Sequence, residues 1–382
     1  MPGIYIHIPF CKQACYYCNF HFSTLWKNTN EMIQAIKTEI ELQKDFFNGI
    51  SDKEMDNKSI QTIYLGGGTP SLLEVQDIDV LLMTVFKYFN STSDCEITLE
   101  ANPDDVNPEK LRRWKQSGIN RFSIGVQSFY DDDLKWMNRS HDSLQAYNSI
   151  LEIKKAGFRN FSADLIFGIP AQTDRQWEKN IDQMIQLEVP HLSCYALTVE
   201  PRTPLYHFIQ KKKYQPVNEE QTARQFEMLI KKLVSAGYEH YEISNFSKPG
   251  FRSIHNSNYW KGIPYIGIGP SAHSFNGKMR QWNIANNALY IDSLLKGIIP
   301  AESEILTPDM QWDEYIMTSL RTMEGCDLNF IIEKWGKAES EKLKVESLSF
   351  LSKGQMVLEN GHLILTEKGK LFADGIASAL FK

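Results

Sequence analysis

Three cysteines crowd one short stretch near the amino terminus, Tyr5-Ile-His-Ile-Pro-Phe-Cys-Lys-Gln-Ala-Cys-Tyr-Tyr-Cys-Asn-Phe20. Cys11, Cys15 and Cys18 stand in C-x3-C-x2-C spacing just past a short apolar run. The spacing is too tight for a useful disulfide framework. It reads as a soft-metal site, because thiolates prefer iron–sulfur clusters or zinc. A [4Fe–4S] cube takes four thiolates and this loop supplies three, which leaves one iron with an open coordination position. The other reading is a structural zinc site completed by His21 or His7, although no second Cys/His group nearby has zinc-finger spacing. Cys95, Cys194 and Cys326 lie far from the triplet and from one another. None is a good fourth ligand: Cys194 sits in the apolar run His191–Leu197, where a small buried hydrophobe is expected, and Cys95 opens a strand.

Other residues with chemical potential fall in loops. Gly66-Gly-Gly-Thr-Pro70 allows a backbone to approach a ligand closely, since glycine has no Cβ and reaches φ values other residues avoid; as a lone glycine loop it is equally an ordinary tight turn. Glu100 ends an apolar strand, where an unpaired charge is costly, and the hydroxyls of a ribose are its natural partner. Asp164, flanked by apolar residues in Ser-Ala-Asp-Leu-Ile-Phe, is expected to bond a ligand or a backbone turn.

The elements that must position these groups alternate between apolar strand-like runs and amphipathic helical ones. Strands are expected near Gly3–Ile8, Ser59–Leu65, Cys95–Leu99, Arg121–Val126, Phe161–Phe167 and His191–Leu197, each followed by a helix or an unusual loop. Six βα units in a row imply a parallel sheet wound by right-handed crossovers, an α/β fold closing as a TIM-like partial (β/α)6 barrel. In such a barrel chemistry sits at the carboxyl ends of the strands. The thiols, the triple glycine, Glu100 and Gln127 all fall at expected strand ends, and so converge on one mouth. The expected organisation is a barrel over 1–215, an extension over 216–306, and a small winged-helix-like domain over 307–382. That last domain includes a hairpin, Met356 to Leu365, turned by Asn360-Gly361.

The cysteine loop after a first strand resembles the radical S-adenosylmethionine (SAM) superfamily, in which the open iron chelates the amino and carboxylate groups of SAM. The wording Tyr-Ile-His-Ile-Pro-Phe-Cys before it and Cys-Asn-Phe after it is similar to the oxygen-independent coproporphyrinogen III oxidase family and its heme chaperone branch. The resemblance runs from Tyr5 to about Leu380 and is stronger in the barrel. It implies that Gly67, Gly68 and Thr69 receive the methionine end of SAM, that Gln127, Arg139, Asp164 and His273 surround it, and that Tyr5 and Tyr17 line the cluster and the adenine. On its sequence context alone Arg139 also fits a surface arginine at a helix end.

Two departures set the chain apart from the oxidases. They resemble Cys-x3-Cys-x2-Cys-x-Cys, and Phe20 stands where their extra cysteine falls; they also carry an amino-terminal extension, whereas four residues precede Tyr5 here. Both departures match the chaperone branch, as does His255-Asn-Ser-Asn-Tyr-Trp260, which fits its H-N-x-x-Y-W pattern. In a helix, His255 and Tyr259 would share a face with Trp260 beside them, and the segment, Asn256 included, would offer heme an axial ligand and an aromatic wall. The plainer reading is a structural turn with a hydrogen-bonded histidine.

The resemblance thus implies a heme chaperone holding a [4Fe–4S] cluster, SAM and heme, which passes heme to respiratory proteins. Dimerisation, gating or a radical step are the roles open to its cofactors. A coproporphyrinogen oxidase is the alternative. With a net charge of −6, a nucleic-acid partner is not expected, which also disfavours a radical enzyme acting on RNA. No run of about 18 apolar residues is present to span a membrane, and the start lacks a signal-peptide pattern. A cytoplasmic protein with reduced thiols is expected, with peripheral membrane contact left open.

Overall fold

The computed structural model describes residues 1–48 and 59–382. Strands β1 (Gly3–Ile8), β2 (Ser59–Gly67), β3 (Asn90–Ala101), β4 (Arg121–Gln127), β5 (Phe161–Phe167) and β6 (His191–Ala196) lie side by side in chain order, all parallel. The crossovers carry α1 (Thr29–Leu42), α2 (Val75–Tyr88), α3 (Pro108–Gln116), α4 (Asp131–Trp136), α5 (Ser143–Lys155) and α6 (Asp174–Gln186). Parallel neighbours require such crossovers, and the right-handed twist of strands places each one back on the same face of the sheet. Strands β1 and β6 do not pair with each other, so the six form an open partial barrel, as expected. Strand β3 begins five residues before the expected Cys95, because the polar run Asn90–Asp94 gives no apolar signal yet pairs with Ser59 and Ile60 of β2.

Side chains alternate along each strand. Ile4, Ile6 and Ile8, Ile63 and Leu65, Leu99, Phe122 and Ile124 are buried in the core beneath the helices. The opposite face carries Tyr5 and His7, Thr62 and Tyr64, Glu96 and Glu100, Arg121 and Ser123, and Asp164, brought abreast by the strand register. A closed barrel fills its interior with branched apolar side chains; this interior is polar.

The sheet continues past both edges of the barrel. After α7 (Pro204–Gln210) and α8 (Glu219–Ser235), the short strands β7 (Glu239–Glu242) and β8 (Asn245–Ser247) extend it beyond β6, with β8 antiparallel to β6. Helix α9 (Ile254–Trp260) follows. Then β9 (Tyr265–Ile268) pairs parallel with β1, and β10 (His273–Phe275), β11 (Met279–Asn283) and β12 (Ala301–Ile305) add antiparallel strands. Sequence pattern leaves the stretch through Phe275 irregular. Its strands are three to four residues long and interrupted by Gly and Pro, too short for a period to emerge; the open edge of β6 recruits β8, and that of β1 recruits β9, on which β10 then pairs.

Helix α10 (Asn287–Leu295) leads towards α11 (Pro308–Leu320), which opens a second core around Trp312, Ile316, Leu343, Met356 and Ile376. Its three-stranded sheet joins β13 (Cys326–Asp327), β14 (Met356–Glu359) and β15 (His362–Leu365). The expected hairpin turn is there, with Asn360 and Gly361 at φ 50° and 83°, the left-handed pair a two-residue turn needs. Among the described residues no helix is long and apolar enough to cross a membrane.

Candidate functional site

The cysteine loop leaves the carboxyl end of β1 and is fastened at several points. Ser23 N–H donates to the Pro9 carbonyl (2.8 Å) and Cys11 N–H to the Ser23 carbonyl (3.0 Å), which closes the lobe on itself. Tyr16 N–H donates to the Met137 carbonyl (3.1 Å), and the Asn138 amide donates to the Ala14 carbonyl (2.7 Å), which ties the loop to the end of α4. Tyr16 also packs edge-on against Phe208 of α7. The loop is therefore held from three sides by the protein itself.

Around it the resemblance-derived residues gather. Thr69 Oγ1 lies 3.6 Å from Cys11 Sγ and donates to it. Arg139 is no surface arginine: its guanidinium turns inward to Cys15 Sγ (3.3 Å), the Tyr17 hydroxyl (3.5 Å), Asn102 Oδ1 (2.7 Å) and the Gly125 carbonyl (2.9 Å). Asn102 is a member that sequence reasoning missed. It accepts from Arg139 and lies 3.5 Å from Thr69 Oγ1, and so bridges the supports of Cys11 and Cys15. Its only sequence signal is its place in Glu100-Ala-Asn-Pro103, at a strand end.

Glu100 accepts from the Tyr64 hydroxyl (2.8 Å) and the Gly67 N–H (3.1 Å). Burial pushes its carboxyl up to about 7, and the nearby Asp164 adds to the rise. Asp164, 3.5 Å from Ser123 Oγ, is likewise pushed up by burial to about 6. Gln127 ends β4 in the left-handed region (φ 65°), and its Oε1 is buried without a hydrogen-bond partner. Non-glycine residues pay for that conformation, and such strain clusters at ligand sites.

The packing of the triple glycine leaves no room for side chains. A Cβ on Gly67, whose φ is +106°, would meet the His7 ring at 2.5 Å, and one on Gly68 would meet the Phe10 carbonyl oxygen at 2.5 Å. A Cβ on Gly66 would meet the Tyr64 ring at 2.8 Å and the Glu100 carboxylate at 3.0 Å. The glycines first of all let β2 run tight against the cysteine loop.

His7, one candidate for completing a zinc site, has both ring nitrogens engaged, with the Tyr5 hydroxyl (3.2 Å) and the His21 carbonyl (2.8 Å). His21 Nε2 pairs with Asn287 Oδ1 (2.7 Å). Among the described residues no three His, Cys, Asp or Glu side chains gather about a point fit for one ion. The thiolates of a cube each meet a different iron and so stand further apart. Burial pushes the Cys11 and Cys18 thiols up to about 12 and about 11, with the Thr69 hydroxyl pulling Cys11 back down and the Phe20 backbone pulling Cys18 down; a bound metal would supply the charge that ionises them. Three thiols, one unfilled position, and an unpartnered amide beside two buried carboxylates fit a [4Fe–4S] cluster capped by a polar nucleotide.

The H-N-x-x-Y-W segment is helical and lies within α9. His255, however, is a buried strut. Its Nδ1 pairs with Thr62 Oγ1 (2.7 Å), its Nε2 with the Tyr259 hydroxyl (2.9 Å), and its ring stacks on Tyr64 at 5.0 Å. Glu96 of β3 accepts from the N–H groups of Ile254 and His255 (3.1 and 3.0 Å), which seats the start of α9 against the barrel. Asn256 N–H is capped by Ser253 Oγ (3.2 Å). Tyr259 and Trp260 instead line a cleft that reaches the cysteine loop at Asn19, Phe20 and His21. His273 lies on β10 facing that cleft, and shares no hydrogen bond with Glu100, Gln127, Arg139 or Asp164.

Known proteins give the same grouping. The radical SAM superfamily profile matches residues 5–184. The heme chaperone HemW of Bacillus subtilis is 33% identical over 382 residues, covering 99% of both chains. That of Mycobacterium tuberculosis is 31% identical over 383 residues, covering 99% of this chain and 94% of its own. In fold, the coproporphyrinogen III oxidase HemN of Escherichia coli, a radical SAM enzyme, superposes with a TM-score of 0.84 at 21% identity, over 100% of this chain and 90% of that one. With three thiols in the family's spacing at the mouth of the family's open barrel, and kinship along its whole length, the chain belongs to the HemW heme chaperone family of radical SAM proteins.

Proposed function

We propose that the protein is a cytoplasmic heme carrier that binds a [4Fe–4S] cluster through Cys11, Cys15 and Cys18, holds SAM at the open iron, and passes heme to respiratory heme proteins. The observation that carries this reading is the continuous cleft from the cysteine loop to Tyr259 and Trp260, in a chain akin to heme chaperones end to end. When bound and reduced, a cluster with SAM supplies a strong one-electron reductant against a sulfonium. This chain's residues do the holding. Thr69 and Arg139 donate to the thiolates of Cys11 and Cys15, Glu100 and Asp164 accept from a polyhydroxylated nucleotide, and the Gln127 amide oxygen accepts a further donor. Phe20, 74% exposed, stands beside Cys18 where a coproporphyrinogen oxidase carries its extra thiol.

The test is anaerobic reconstitution with iron and sulfide, then heme titration with and without SAM. A brown protein holding about four irons, which then takes up heme with a Soret band and releases it to an apo-cytochrome, is expected. The same preparation, given SAM, reductant and coproporphyrinogen III, should form no protoporphyrinogen; robust formation would make the protein an oxidase. Size-exclusion chromatography of the loaded and unloaded forms tests whether the cofactors drive dimerisation.

A further inference from the structure

The cleft beside the barrel measures about 1460 Å³, beyond the roughly 300–1,000 Å³ of ordinary small-molecule pockets. One wall is a single face of β9, β10 and β11. Register sets Phe275 opposite both Tyr265 and Arg280, and His273 opposite Trp282, so their side chains share one side of the sheet. The other wall is α11, from which Gln311, Glu314, Tyr315 and Thr318 recur at helical spacing. Tyr259 and Trp260 of α9 supply further aromatic surface. A flat, aromatic, dianionic molecule suits a slot of this shape if a cation and an iron ligand are in reach.

Both are present. His273 is exposed to the cleft, its ring against Trp282, and neither of its nitrogens has a hydrogen-bond partner among the described residues. Arg280 is its diagonal neighbour across the β10–β11 pair, at about 7–8 Å between backbones. A long guanidinium can therefore reach the rim of a macrocycle whose iron lies over the imidazole. In this structure Arg280 spans the cleft to the Glu314 carboxylate, an anion held where an acidic ligand would be. Lys334 lines the same cleft and acts electrostatically on Glu314, and so can take over that carboxylate when Arg280 is claimed. The buried Trp260 indole N–H and Asn258 side-chain amide nitrogen, both on cleft-lining residues, also lack partners. His255, in contrast, has both nitrogens bonded and sits behind Tyr259.

We infer that His273, not His255, ligates the tetrapyrrole iron, and that one propionate replaces Glu314 on Arg280. The inference rests on the heme-carrier reading. Its test is anaerobic titration of ferric heme into the full-length reconstituted protein, read by Soret position and heme EPR, with cluster content and melting temperature measured alongside. His273→Ala should weaken binding tenfold or more and abolish the imidazole-ligated signature. His273→Cys should restore binding with a thiolate spectrum, which a merely structural histidine would not produce. His255→Gln should lower the melting temperature but keep the wild-type Soret position. Arg280→Gln should weaken heme binding while leaving heme dimethyl ester binding as in the wild type. An unchanged spectrum in His273→Ala, or equal weakening of heme and its ester in Arg280→Gln, overturns the assignment while the carrier reading stands. Failure of the wild type to bind heme overturns both.

Discussion

Charge and hydrogen bonding at single residues decide what this site can hold. Arg139 is worth more as a brace than as a charge: four acceptors on three segments converge on one guanidinium, and a planar fork can meet several at once where a lysine cannot. Glu100 has a sharper role. An acid pushed up by burial to about 7 is protonated below that pH and offers a donor in place of an acceptor; above it, the carboxylate can accept from ribose hydroxyls. SAM affinity should therefore strengthen as pH rises through about 7, by up to about tenfold across the transition, and Glu100→Gln should flatten the profile. Isothermal titration of SAM at several pH values checks this. A wild-type profile as flat as the variant's would remove Glu100 from the nucleotide site.

Among elements, the least expected connection is Glu39, a carboxylate buried in the last turn of α1. It accepts from Gly269 N–H (2.8 Å), the Asn283 amide (2.6 Å) and the Tyr290 hydroxyl (2.5 Å), and so locks α1 to the turn after β9, to β11 and to α10. Burial pushes it up to about 7 against those bonds. Because its folded value lies above its ordinary value of 4.5, its contribution to stability is complete below about 4.5 and is lost as pH rises through about 7. Melting temperature should thus fall across that interval and fall less in Glu39→Gln, as read by circular dichroism. Tyr290→Phe removes one of the three donors and should cost about 1–2 kcal/mol in denaturant unfolding. This latch holds the strands that carry His273 and Arg280, so loosening it should be felt in the cleft.

For the whole molecule, the main barrel core and the carboxy-terminal core meet along a seam. Ile243 N–H donates to the Arg321 carbonyl and Met323 N–H to the Tyr241 carbonyl, both at 3.0 Å. Arg321 pairs with the buried Glu242 at 3.0 Å while lying over the Trp260 ring at 5.2 Å. One side chain thereby joins the barrel, the H-N-x-x-Y-W helix and the carboxy-terminal core. Arg321→Ala leaves Glu242 buried without its cation and should cost on the order of 3 kcal/mol. Scanning calorimetry should then resolve two transitions in place of one cooperative transition, because the cores around Leu99 and around Ile316 are separate clusters. A single transition with an unchanged midpoint would show that the seam does not couple them.

Sequence by itself determined the alternation of strands and helices, the open α/β barrel, the thiol triplet, and the fall of Thr69, Glu100 and Gln127 at strand ends. These are local signals: apolar period, turn residues and the chemistry of adjacent side chains survive in a one-dimensional string. Only the tertiary structure decided which distant groups meet. It turned Arg139 inward to Cys15, brought Asn102 between two thiol supports, and gave Gly67 and Gly68 their reason in the His7 ring and the Phe10 carbonyl. It also buried His255 against Tyr64 and left His273 exposed on the cleft, placements no spacing rule could contain. Whether a histidine is a strut or a ligand depends on what fills the few ångströms around its two nitrogens, and those neighbours come from residues up to two hundred positions away.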